Sequence, residues 1–174
     1  MVGHYPSPAV ANLFVNTAIM ERRPITLMKL QRLLYLANGY YMAEVALASG
    51  ATVPLIDGLF EAWQYGPVCP PVHSEFAYFQ WAPIIQLATA ERLESEAEFI
   101  LDEPGNNAAL ASVTEFVWTT YRQRTARDLS LMICKPGGAW DITVQQCRLS
   151  PRRRAEIPND LILREFRGLV RKTS

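Results

Sequence analysis

Hydrophobic positions along this chain fall mostly at intervals of three and four, the period of a helix with one buried side. Val10, Leu13, Phe14 and Ala18 set out a first amphipathic helix over about 8–22, with Ser7-Pro8 as its start signal and Arg22-Arg23-Pro24 as its stop. A second stripe, Leu27, Leu30, Leu34, Ala37 and Tyr41, is widened by Leu33, Leu36 and Tyr40. So broad an apolar face predicts a central helix over about 27–48, touched from several sides, capped by Thr26 and ended at Ser49-Gly50.

The period then changes. TVPLI and LFEAWQYGPV are separated by the turn signal Asp57-Gly58, and the second run alternates Phe60, Ala62, Gln64 against Glu61, Trp63, Tyr65. This predicts a small β-hairpin closed by Gly66-Pro67. Pro70-Pro71 opens a short helix to about Phe79. Residues 82–104 fit strand or loop, and the acidic run from Glu91 to Glu103 reads as a solvated face. Leu110, Val113, Phe116, Val117 and Tyr121 predict a long helix over 107–123; Thr125 with Asp128 forms a capping box for a helix to about Cys134. Lys135-Pro136-Gly137-Gly138 breaks that helix, Trp140 is placed in the following loop, and Ile162, Phe166, Leu169 and Val170 mark a last helix from about 159. The fold class expected is mainly α with a minor β element, a single domain over 1–174 ending in a basic helix and tail from about 148.

Composition narrows the function classes. With 174 residues, 49% apolar and 20% charged, the chain has the balance of one well-buried core. Net charge is zero overall, but residues 1–147 sum to −5 and 148–174 to +5. No apolar run is long enough for a membrane span and the first residues lack the pattern of a signal peptide, so a cytoplasmic location is expected. Cys69, Cys134 and Cys147 are odd in number with no CxxC pair, which argues against a disulfide framework and a zinc site. No phosphate-cradling glycine motif occurs, and no cofactor is implied.

Few residues offer chemistry. Cys69 and His73, four apart, could pair as thiol and imidazole in a small hydrolase or transferase, but no oxyanion loop or orienting third group accompanies them. Packing is the simpler reading, and no enzyme is expected. Lys29 and Arg32 on the apolar central helix are either snorkelling cations or, for Lys29, half of a buried pair with Glu61. Trp63 and Tyr65 sit on a ribbon too small to bury both faces, which makes them candidate interface anchors. Arg152, Arg153 and Arg154 are a solvated loop or a grip on an acidic partner or phosphates.

The order PAVANLFV, ITLMKLQRLLYLANGYYMA, PLIDGLFEAWQYGPVCPPVHSEF, LSLMICKPGGAW and IPNDLILREF resembles the Panacea domain, the SocA-like antitoxin family that includes phage-associated bacterial proteins. The likeness covers about 8–168. It is carried by Lys29-Leu30-Gln31 with Leu34-Tyr35, and by Glu61-Ala62-Trp63 with Tyr65-Gly66-Pro67-Val68; Trp140 is also kept. The resemblance implies an antitoxin of a type II toxin–antitoxin system that binds and neutralises a protein toxin from a neighbouring gene. A variant of that role, known in the family, is an adaptor delivering the toxin to an ATP-dependent protease. Many members carry an added DNA-binding region; none is seen in these residues, so operator binding is not expected. Where the family usually shows a histidine before the tryptophan, this chain reads Met132-Ile133-Cys134.

Overall fold

A computed structural model describes residues 4–88, 108–147 and 154–170. The elements in chain order are α1 (Ser7–Met20), α2 (Leu27–Ser49), β1 (Glu61–Trp63), β2 (Gly66–Val68), α3 (Pro70–Phe76) running into a 3-10 turn (Ala77–Phe79), α4 (Ala108–Tyr121), α5 (Ala126–Ile133), α6 (Ala139–Cys147), β3 (Ala155–Glu156) and α7 (Asn159–Val170). The fold is mainly α with a small antiparallel sheet of order β2-β1-β3. No described helix is long and apolar enough to cross a membrane.

Helix α2 is the axis around which the rest is packed. Thr26 accepts the Lys29 N–H at its start, and Gly50 ends it in a left-handed conformation with φ 73°. Every residue from Leu30 to Ala43 is buried, so the helix is covered all round and not merely on the stripe its periodicity suggests. Helices α1, α3, α4, α5 and α7 and strand β2 lie around it, α7 and α4 most intimately, while α6 packs on the sheet and α7. Tyr35 meets Phe60 and Phe166 edge-to-face, and Tyr40 meets Phe116 and Phe166 in the same manner.

The approach of α7 to α2 depends on one missing atom. A Cβ on Gly39 would lie 2.3–2.5 Å from three ring carbons of Phe166, itself only 1% exposed. Gly39→Ala therefore forces a buried aromatic out of place, an overpacking cost of about 1–3 kcal/mol. We expect a lower melting temperature by calorimetry despite alanine's better helix propensity; an unchanged or raised value would show that α7 is free to shift.

Several expectations are revised by tertiary contacts. Ser7 does not cap α1; Pro6 holds that position, and the Ser7 backbone N–H donates to the Asp57 carboxylate at 2.9 Å. Gly66-Pro67 does not close the hairpin. The turn is Gln64-Tyr65, and Gly66-Pro67 belong to the returning strand, in register with Trp63 and Ala62. Trp140 lies in the first turn of α6, not in a loop. Carboxylates make a helix possible directly after two glycines: Asp141 accepts the Gly137 N–H at 2.9 Å and Glu165 accepts the Ala139 N–H at 3.0 Å, both at the positive end of the helix dipole. The capping box of α5, by contrast, is formed as read, with Thr125 and Asp128 exchanging hydrogen bonds. The acidic run from Glu91 to Glu103 and the pair Arg152-Arg153 lie outside the described residues.

Candidate functional site

The side chain that organises the sheet is Arg32. Helix α2 presents it from a fully buried turn, 2% exposed, toward the hairpin. Its Nε donates to Ser130 Oγ of α5 at 2.8 Å, one terminal nitrogen to the Pro67 carbonyl at 2.6 Å, and the other to the Tyr65 carbonyl. Burial pushes its pKa down to about 10, so it remains a cation at neutral pH. Gly66, at φ 125°, makes room for it: a Cβ there would sit 2.7 Å from the guanidinium carbon. One residue earlier, Gln31 pairs its amide with the Cys69 peptide group, accepting N–H at 2.7 Å and donating to C=O at 3.3 Å. The central helix thus holds both ends of β2 by hydrogen bonds, because strands of three residues cannot hold themselves.

A groove of about 840 Å³ opens beside this clamp. Its floor is the first turns of α2, including Met28, Gln31 and Arg32. The hairpin lines it with Trp63 and Tyr65, the segment after α3 with Gln80 and Trp81, and His73 and Arg154 also face it. Trp63 is held in place. Its indole N–H donates to Glu61 at 2.8 Å, its carbonyl accepts the Trp140 indole N–H at 2.9 Å, the His73 ring packs at 4.8 Å, and the Arg154 guanidinium lies 3.8 Å from its ring centre. Tyr65 and Trp81 are 62% and 78% exposed. The Trp81 segment is pinned: Ile84 N–H donates to the Ile25 carbonyl, and Asn12 exchanges two hydrogen bonds with the Ala88 peptide group.

The Lys29–Glu61 pair does not form. Lys29 Nζ donates instead to the Arg122 carbonyl at 2.6 Å, just past α4, where a helix C-terminus favours a cation, and Glu61 is taken by Trp63. It is Arg32, one turn further along, that meets the hairpin. Burial, with Arg23 nearby, lowers the Lys29 pKa. Tyr35 donates to Glu165 at 3.4 Å, tying α2 to α7. Cys69 and His73 do not meet as a thiol–imidazole pair. The buried thiol, its pKa raised by desolvation, lies against Ser7 and the Gly58 backbone, whereas the imidazole packs on Trp63.

The hairpin pair Trp63 and Tyr65 and one arginine of the cluster, Arg154, are therefore brought to one groove. Sequence reading did not find Gln80 and Trp81, nor Arg32 as the clamp. The available signal was the aromatic crowding of Tyr78, Phe79 and Trp81 before Pro83, too many large rings for a short helix to bury.

The profile of a family described as Antitoxin SocA-like, Panacea domain, matches residues 30–141. The chain is also 32% identical to Antitoxin SocA of Caulobacter vibrioides over 134 residues, 77% of this chain and 68% of that one. The chain belongs to the SocA-like antitoxin family. The matched span holds Gln31, Arg32 and Tyr35 on α2, the whole hairpin, the Trp81 segment and Trp140, so the clamp and most of the groove lie inside the Panacea domain; Arg154 lies beyond it. Family membership supports an antitoxin role. No solved structure matches the chain.

Proposed function

We propose that this chain is the antitoxin of a type II toxin–antitoxin system, acting in the cytoplasm by binding a protein toxin encoded by an adjacent gene and covering its working surface. The observation that supports this most is the groove: two exposed aromatics, Tyr65 and Trp81, line the same groove, each on a segment pinned by hydrogen bonds. Large aromatics turn about only two side-chain torsions, so on a fixed backbone they lose little entropy on binding, which suits an interface anchor. Family membership supplies the class of partner. Arg154 and Arg32 line that surface, and the whole chain carries no net charge that would draw it to nucleic acid.

Co-expression tests the reading. Cells producing the neighbouring toxin should regain growth when this chain is supplied, and the two proteins should co-purify as an intact complex. Neither rescue nor co-purification, with the chain shown to be folded, would overturn it. Rescue in which the toxin disappears only when an ATP-dependent protease is present would mean delivery for degradation in place of occlusion.

A further inference from the structure

The groove is unbalanced in charge. Among its described lining residues are two guanidinium groups, Arg32 and Arg154, and no aspartate or glutamate. Arg32 is satisfied only by neutral partners, two backbone carbonyls and a serine hydroxyl, so its charge is hydrogen-bonded but not neutralised. Arg154 rests on the Trp63 ring, and among the described residues no carboxylate lies within ion-pair distance of it. The nearby Glu61 accepts the Trp63 indole N–H and keeps its negative charge, but it is not among the residues that line the groove. The first turn of α2, whose dipole is positive there, lines the same space. A partly enclosed site with walls of low polarity focuses such a field.

We infer that the groove recognises an acidic segment of the partner protein, an aspartate or glutamate set beside a bulky apolar residue. The carboxylate pairs with the Arg154 guanidinium, whose fork geometry suits it, under the field of the buried Arg32. The apolar neighbour packs on Trp81 and Tyr65, the exposed rings of the groove. The cation–π contact with Trp63 holds Arg154 in place for this, so its side chain is already ordered when the carboxylate arrives. That the partner is a toxin rests on the antitoxin reading; the chemistry of the groove does not.

The test needs no toxin. Three fluorescein-labelled peptides of the form Gly-Xaa-Phe-Xaa-Leu-Gly, with Xaa as Glu, Gln or Lys, are titrated against the full chain and followed by anisotropy. The Glu peptide should bind about tenfold more tightly than the Gln peptide and weaken as salt is raised, with the Lys peptide weakest. Arg154→Ala should erase the preference for Glu over Gln. Arg154→Glu should reverse it toward the Lys peptide, and circular dichroism should show both variants folded. Equal binding of the Glu and Gln peptides would overturn the inference. So would no binding of the Glu peptide at about 1 mM, the weak end of specific recognition, or its ready displacement by oligouridylate, which would make the site one for nucleic acid. Failure of growth rescue with the peptide preference intact would remove the antitoxin reading and leave this one standing; the reverse pattern would do the opposite.

Discussion

Replacing Arg32 by methionine should lower the melting temperature more than any substitution on the groove's exposed walls. The change strands the carbonyls of Tyr65 and Pro67, and leaves Ser130 Oγ without its donor. The Pro67 acceptor is buried and the other two partly so; a buried acceptor left without a partner costs about 1–3 kcal/mol, a half-exposed one less. Removing a desolvated cation returns part of that, for a net loss of roughly 3 kcal/mol. For a chain of this size that is a fall of about 6–12 °C. The damage should begin locally: backbone amides of the hairpin should exchange with solvent faster than those of α2. Arg32→Lys should fall between, since an ammonium cannot reproduce the planar fork that spans two carbonyls and a hydroxyl. A melting temperature within about a degree of the original would mean the clamp contributes nothing net and that packing alone holds the hairpin.

The second large effect concerns binding. Tyr65→Ala and Trp81→Ala should each weaken toxin affinity by at least about 2 kcal/mol, roughly thirtyfold, if they are the anchors proposed. Neither should move the melting temperature appreciably, because 62% and 78% of their surfaces already face water. Trp63→Ala is a different experiment. It removes the platform of Arg154, the donor to Glu61 and the ring packed by His73, so a lower melting temperature should accompany any loss of affinity. Calorimetric melting and titration on the same preparations separate the cases. If Tyr65→Ala and Trp81→Ala both bind as the parent does, the groove is not the toxin interface.

Much of the fold was legible because its signals are local. Thr26 before an unbroken apolar helix, Gly50 after it, and Thr125 with Asp128 are each decided within four residues of chain, and the structure forms all three. Apart from the hairpin turn, misplaced by two residues, the failures share one cause. Ser7 loses its capping role to Asp57, fifty residues away, and the helix that contains Trp140 is capped in part by Glu165 of α7. No window of sequence contains both partners of such contacts. The Lys29–Glu61 pair failed for the same reason: two opposite charges on adjoining elements satisfy a pattern, but side-chain direction on α2 assigned Lys29 to the end of α4.

By itself the sequence determined the helical class, the central helix, the existence of a hairpin and the aromatic pair it carries, since periodicity and turn chemistry follow from backbone geometry within a few residues. The motif residues Gln31, Glu61, Gly66 and Pro67 were likewise marked by family likeness, though not what each touches. Only the tertiary structure decided that Arg32 is the hairpin's support, that Gly66 is small for the sake of that guanidinium, and that Trp81 lines the same groove as Tyr65. It also decided that Arg154 reaches the groove by lying on Trp63. These are facts about which surfaces meet. They depend on how α2 is rotated and how close the hairpin comes to it, and hydrophobic patterning sets which face is buried without setting which polar atoms on that face find each other.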